Sequence, residues 1–224
     1  MKVRKPSKPL LIFVFALLVI VILIACVKFA SCSQTLDFCA TFYYVCHEKP
    51  YTESAASSMS SAVQNYGGAG YVIESGGDYF VTVSCYYEER DAQSVCTTLK
   101  RKGLSCTVVK VKVDGISLNG NAKKNSQKYT GNLKTLLSIS EVCYSLANSI
   151  DYGKVDQNGA KEVLSQVSIS LKGLLRENSV NCFSSELNRL VSECEDASYG
   201  YVYARDVRKL QIAICDTIAN VKLY

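Results

Sequence analysis

Two hydrophobic periodicities alternate along residues 42–113, and they constrain the fold more than any other feature of this sequence. Alternating apolar and polar residues indicate half-buried strands, whereas apolar residues spaced three and four apart indicate helices. The pattern predicts the order strand, helix, strand, strand, helix, strand. The six predicted elements cover residues 42–47, 53–66, 71–74, 79–86, 88–102 and 106–113. We therefore expect an α+β domain with one small sheet.

An apolar run near the N-terminus predicts a membrane anchor. Residues 10–27 are uncharged, and a run of about eighteen residues is near the lower limit for a spanning helix. We assign residues 10–29 to a single transmembrane helix that contacts the lipid bilayer and residues 1–9 to a basic cytoplasmic tail. The tail carries Lys2, Arg4, Lys5 and Lys8, so the positive-inside rule places the remaining domains outside the cytoplasm.

Two alternatives for this segment stay open. Residues 23–26, Leu-Ile-Ala-Cys, have the form of a bacterial lipobox, in which Cys26 would be lipidated after cleavage. A cleaved secretory signal is the third possibility. Each of the three interpretations exports the same downstream residues.

The charge distribution argues against a nucleic-acid partner. The chain has a formal net charge of +5, and four of its positive charges lie in the first nine residues. The exported part is therefore nearly neutral, whereas a nucleic-acid binder needs a clustered basic face to displace phosphate counterions.

The C-terminal third has a different pattern. Residues 114–128 are rich in Gly, Asn, Ser and Lys and predict a linker, and residues 30–41 form a short juxtamembrane segment. Apolar residues then recur at helical spacing through residues 129–224, which predicts an all-α bundle of three or four helices with a break near Gly200. One of these apolar stripes could instead contact an envelope protein partner.

The glycine run of residues 67–70 and the strand and helix that follow it carry a resemblance to a known family. Residues 79–86, Tyr-Phe-Val-Thr-Val-Ser-Cys-Tyr, are followed by Asp91-Ala92, Leu99 and Lys102-Gly103-Leu104. This arrangement resembles the SPOR domain of bacterial cell-division and sporulation proteins, in a variant with Gly-Gly-Ala-Gly-Tyr found in membrane-anchored proteins of Gram-positive bacteria. The resemblance covers residues 42–113. It implies a βαββαβ, ferredoxin-like sandwich whose open sheet face binds peptidoglycan glycan strands.

Strand alternation indicates which residues would line that open face. Tyr79, Val81 and Val83 suit the helix-covered side, and so do Val109, Val111 and Val113. The candidate glycan-binding residues are Tyr43, Phe80, Thr82, Ser84, Lys110 and Lys112, together with His47, which the resemblance aligns with a position where the family usually has a glutamine. Flat rings can stack on sugars and neutral donors can bind hydroxyls, although the same residue types also coat an ordinary solvated sheet.

The remaining chemistry favours a binding protein over an enzyme. His47 is the only histidine and no nucleophile motif accompanies it, so we expect no catalytic residues, metal or cofactor. The chain has eleven cysteines, which allow two interpretations. Most of them could be reduced and buried, or they could form a framework of disulfide bonds.

The prediction is a single-pass cell-membrane protein whose SPOR-like module binds peptidoglycan in division or sporulation. The alternative is a structural component that contacts protein in an envelope complex.

Overall fold

The computed structural model describes residues 34–47, 51–118, 124–178 and 183–221, and they form an α+β fold. The four strands are β1 (Gln34–His47), β2 (Tyr71–Ser75), β3 (Asp78–Tyr86) and β4 (Cys106–Leu118). The six helices in these residues are α1 (Glu53–Asn65), α2 (Glu89–Arg101), α3 (Ser126–Asp151), α4 (Gln157–Glu177), α5 (Ser184–Ser198) and α6 (Ala204–Asn220). The strands pair antiparallel in the order β2-β3-β1-β4, so that β1 and β3 are the inner strands.

The helices between the strands begin and end where the sequence provides the required residues. Thr52 caps α1, with its hydroxyl accepting a hydrogen bond from the Ala55 amide at 3.4 Å. The first turn of α2 is acidic and its last turn is basic, which suits the helix dipole. Gly103 then takes a φ of +82° and reverses the chain toward β4.

Helices α1 and α2 cover one face of the sheet. α1 packs on β2 and β3, and α2 packs on β1, β3 and β4. Val81 is fully buried under α1, and Tyr79 and Val83 pack beside it. These three residues are on the helix-covered side, as the strand alternation predicts.

Helices α3 and α6 cover the opposite face, which the sequence predicted to be open. Phe42, Tyr44 and Ile73 project from the sheet toward these helices, and each is at most 2% exposed. They belong to one cluster of buried apolar side chains that continues through all four C-terminal helices. An apolar sheet face must be covered to be stable in water, and the C-terminal helices cover this one.

The fold class predicted from the sequence is therefore wrong in two respects. No helix within the described ranges is long and apolar enough to cross a membrane. Residues 10–29, to which we assigned the transmembrane helix, lie outside the described residues, as do the basic tail and Cys26. The C-terminal helices also do not form a separate bundle, because they share their core with the sheet.

The outer strand β4 and its neighbour β1 are longer than the sequence pattern indicated. β1 begins at Gln34, and β4 continues to Leu118 through residues that composition assigned to a linker. Leu36 pairs with Ile116 in this extension, and both are buried on the α3 side. Apolar residues still alternate with polar ones in this extension. Gly115 and several polar residues nevertheless give it the composition of a linker.

The C-terminal helices follow the predicted stripes. Leu164, Leu190 and Leu210 are fully buried on three different helices. α5 ends at Ser198 and α6 begins at Ala204, which confirms the predicted break near Gly200. Asp156 caps α4 by accepting a hydrogen bond from the Gly159 amide at 2.8 Å.

Candidate functional site

The seven candidate glycan-binding residues do not share one sheet face. Phe80 packs against the core cluster beneath the C-terminal helices, and Thr82 is fully buried there. The Thr82 hydroxyl donates a hydrogen bond to the Tyr71 carbonyl oxygen at 2.8 Å. Thr82 therefore lies in the interior, and Phe80, which is partly exposed, packs on the same face, where α6 contacts β3.

Ser84 lies on the opposite face of the sheet from Phe80 and Thr82. The pairing of β1 with β3 shifts register between Val45 and Cys46. Ser84 pairs with Val45, whereas Thr82 pairs with the next residue of β1. Such an irregularity reverses the alternation along one strand. Ser84 is consequently buried on the α2 side.

Tyr43, Lys110 and Lys112 remain accessible on the α2 side of the sheet. The Lys110 ammonium lies 5.3 Å from the centre of the Tyr43 ring and 3.9 Å from the Glu89 carboxylate. Lys112 pairs with Asp114 at 2.6 Å. Each lysine already has an acidic neighbour, so this face carries little uncompensated positive charge.

His47 lines a small apolar cavity between α1, α2 and the sheet. Its Nδ1 atom lies 2.7 Å from the Tyr51 hydroxyl, which makes a hydrogen bond. The cavity has a volume of about 90 Å³ and is lined mainly by apolar groups, among them Met59, Val63 and Leu99. This volume is well below the roughly 300 Å³ at which ordinary ligand pockets begin.

A cluster of exposed tyrosines forms a second candidate site, which we call the tyrosine surface. Its members are Tyr152 after α3 and three residues of the α5–α6 loop, with exposed fractions of 75% for Tyr152, 88% for Tyr199, 59% for Tyr201 and 47% for Tyr203. A group of exposed aromatic side chains is unusual, since their burial is favourable.

The loop that carries these tyrosines is held firmly. Its central residue Val202 is fully buried, and its backbone exchanges two hydrogen bonds with the Gln157 side chain, at 3.0 and 2.8 Å. Arg208 pairs with Asp151, which tethers the start of α6 to the end of α3. These contacts bring the α3–α4 turn, and with it Tyr152, against the α5–α6 loop.

Two cations lie over rings of the tyrosine surface. The Arg205 guanidinium is 4.8 Å from the centre of the Tyr203 ring, and the Lys154 ammonium is 5.4 Å from that of Tyr152. Arg205 also donates a hydrogen bond to the Gln64 carbonyl oxygen at 3.3 Å, so the surface extends to the end of α1. Such cation–π contacts orient the rings. The centres of the Tyr201 and Tyr203 rings are also only 4.8 Å apart.

The tyrosine surface was not predicted from the sequence. The signal is nevertheless present in residues 199–203, Tyr-Gly-Tyr-Val-Tyr. An extended segment sends alternate side chains to opposite sides, so burial of Val202 turns Tyr201 and Tyr203 outward. Strand-like alternation of this kind is easily missed between two long helices.

A polar cluster joins the β2 edge to α5 and α6. The Tyr71 hydroxyl donates a hydrogen bond to Asp216 Oδ2 at 3.0 Å, and Arg189 donates to the Tyr71 oxygen at 3.1 Å. Arg189 also contacts Thr217 at 2.9 Å and Glu186 at 3.1 Å. These side chains satisfy one another's hydrogen-bonding groups across β2, α5 and α6. The cluster therefore anchors the edge of the sheet to the two helices.

Asp216 gives this anchor a measurable pH dependence. Burial raises the pKa of its carboxyl above the ordinary value, although Tyr71 and Arg189 oppose the shift. The folded state then holds the proton more tightly than the unfolded state does. Between the ordinary and the raised pKa, the free energy of unfolding must therefore fall as pH rises.

We expect Asp216→Asn to flatten this dependence, because the amide does not titrate. Urea denaturation at steps between pH 4 and pH 7 measures it, and the wild type should lose more stability over this interval than the variant. Parallel curves for the two proteins would contradict the assignment.

The described parts of the chain contain no group of three or more His, Cys, Asp or Glu side chains arranged to hold a metal ion. Comparison of the chain with protein-family models, curated proteins and solved structures gives no match.

Proposed function

We propose that this chain is a non-enzymatic binding module for peptidoglycan glycan strands, and that it binds them at the tyrosine surface. The observation that carries the proposal is a set of four exposed tyrosines on two turns, which the Gln157–Val202 hydrogen bonds and the Arg208–Asp151 ion pair hold together. The choice of peptidoglycan comes from the resemblance of residues 42–113 to SPOR domains. The face of the sheet that the resemblance implies is packed under α3 and α6.

The chemistry of the tyrosine surface suits a sugar polymer. A tyrosine ring offers an apolar face for the C–H face of a pyranose, and its hydroxyl both donates and accepts hydrogen bonds. Tyr199 is the most exposed of the four tyrosines, at 88%. Because buried neighbours already hold the loop, little conformational entropy is lost on binding.

The test is retention of the full chain on purified peptidoglycan sacculi, before and after an amidase removes the stem peptides. We expect the double variant Tyr199→Ala, Tyr201→Ala to lose about tenfold in affinity, since aromatic contacts contribute roughly 0.5–1.5 kcal/mol each. Ile169→Ala is the control, because Ile169 is a large apolar side chain that is 60% exposed in the second half of α4, away from the two turns that carry the tyrosine surface. Its affinity should equal that of the wild type.

A third variant separates the two candidate surfaces. If Tyr43→Ala lowers retention and the double variant does not, the glycan lies on the α2 side of the sheet instead. Phe80→Ala is unsuitable for this purpose, because Phe80 packs against the core.

A protein partner in an envelope complex is the second candidate. Arg205 over Tyr203 favours it, since tyrosine and arginine dominate the hot spots of protein interfaces. Absence of retention on both sacculus preparations would reject glycan binding and leave this candidate.

A further inference from the structure

Two buried cysteines come unusually close between α2 and β4. The Sγ atoms of Cys96 and Cys106 are 2.9 Å apart, and the two residues are 4% and 1% exposed. This separation is shorter than an ordinary contact between non-bonded sulfur atoms. A disulfide bond has an S–S length of about 2.05 Å, so the sulfurs need to approach by less than about one ångström.

The backbone around the two cysteines already fixes this approach. Cys96 lies in the second half of α2, and Cys106 is the first residue of β4. The turn between them is closed by hydrogen bonds from Gly103 N to Lys100 O at 3.0 Å and from Leu104 N to Leu99 O at 3.1 Å. Each Sγ atom also contacts the other residue's carbonyl oxygen, at 3.3 and 3.1 Å. The two side chains therefore face each other across a short, ordered connection.

We propose that Cys96 and Cys106 form a disulfide bond when the chain meets a disulfide oxidant. One cysteine thiolate attacks the oxidant and forms a mixed disulfide, and the second thiolate displaces the oxidant's remaining sulfur. The two cysteines lose two electrons and two protons in total, and the oxidant is reduced to two thiols. Because both sulfurs are buried, the exchange takes place while α2 is detached from the sheet, during folding or local opening.

The bond would fasten α2 to the sheet over one of the small apolar clusters. The cluster beneath α2 has only four buried members, Val45, Ala92, Cys96 and Cys106. The much larger core lies on the opposite face. A covalent link restricts the unfolded chain and so stabilises α2 beyond what this small cluster provides.

Peptide mapping tests the bond directly. Trypsin cleaves at Lys100, Arg101 and Lys102, between the two cysteines, so the bond would join peptides 91–100 and 103–110, each of which contains one cysteine. The full chain is incubated with oxidised glutathione and then unfolded in guanidinium at mildly acidic pH, so that N-ethylmaleimide reaches and blocks the buried thiols. It is then digested without reductant. We expect the linked pair of peptides, and we expect dithiothreitol to separate it.

Cys194 is the internal control, since it is also buried but its Sγ lies against the Leu164 carbonyl oxygen at 3.5 Å, and its tryptic peptide, residues 190–205, contains no other cysteine. Its peptide should carry the maleimide. Recovery of blocked Cys96 and Cys106, or linkage of either one to another cysteine, would overturn the proposal.

Thermal unfolding gives an independent readout. Dithiothreitol should lower the Tm of the oxidised wild type by about 5–10 °C, given the loop length and the size of the chain. Cys194→Ala should show the same shift. The double variant Cys96→Ala, Cys106→Ala should be insensitive to reductant, and equal sensitivity in that variant would contradict the assigned pair.

Discussion

Removal of residues 124–224 is expected to abolish cooperative folding of the remaining chain. The deletion takes away α3 and α6 and exposes the sheet face that carries Phe42, Tyr44 and Ile73. Burying a large apolar side chain contributes roughly 1.5–3 kcal/mol, so the loss from these three alone approaches the roughly 5–15 kcal/mol that stabilises a whole domain. Circular dichroism during heating should show a gradual change without a sigmoidal transition.

Complementation provides the control for this truncation. Mixing the truncated chain with a separately produced segment of residues 124–224 should restore a cooperative transition, because the missing face is then covered. A sigmoidal melt of the truncated chain alone, with dispersed amide signals in its NMR spectrum, would contradict the prediction. In that case residues 42–113 would be an independent domain, as composition suggested.

The order of the first six elements could be predicted from sequence because each has a local signal. Apolar alternation marks β3, the acidic and basic ends mark α2, and Gly103 marks the turn into β4. The packing partner of the second sheet face has no such signal, since apolar stripes on distant helices do not specify what they cover. This is why the helices of residues 129–224 were expected to form their own bundle.

The face assignments in β4 failed for a related reason. Cys106 and Val108 face α2, whereas Val109 and Val111 face the opposite helices. The strand is thus apolar on both sides near its start and on one side only near its end. Sequence alone indicated correctly that Lys110 and Lys112 would be exposed, but it assigned them to the wrong face.

The candidate site was the hardest part to predict, because it depends on contacts between distant segments. Tyr152 and Tyr201 are 49 residues apart in sequence, and the Gln157 contacts with Val202 bring their segments together. No local periodicity encodes that contact. By contrast, the glycines at residues 67–70 have a structural role that follows directly from backbone geometry.

Gly70→Ala is expected to cost roughly 2–5 kcal/mol of unfolding free energy, from the sum of backbone strain and steric overlap. Gly70 has a φ of +64°, and an added Cβ would lie 2.5 Å from the Ser60 carbonyl oxygen and 2.6 Å from Gln64 Cγ. The Gly70 amide also donates a hydrogen bond to the Thr82 carbonyl oxygen at 2.9 Å, which ties this position to β3. Gly70 therefore cannot withdraw from α1 without losing this hydrogen bond, so α1 has to shift away from the sheet. Guanidinium denaturation of the variant and the wild type measures the loss.

Gly76→Ala separates the two causes, because Gly76 has nearly the same backbone conformation in open space. Its φ is +65°, and an added Cβ there meets no heavy atom of the described residues within 4 Å. This variant should lose only the strain of the left-handed conformation, about 1–2 kcal/mol. The excess loss in Gly70→Ala is then the cost of separating α1 from β3. Equal losses in the two variants would mean that the glycine run serves only to turn the chain and that the close approach of α1 to the sheet is not required for stability.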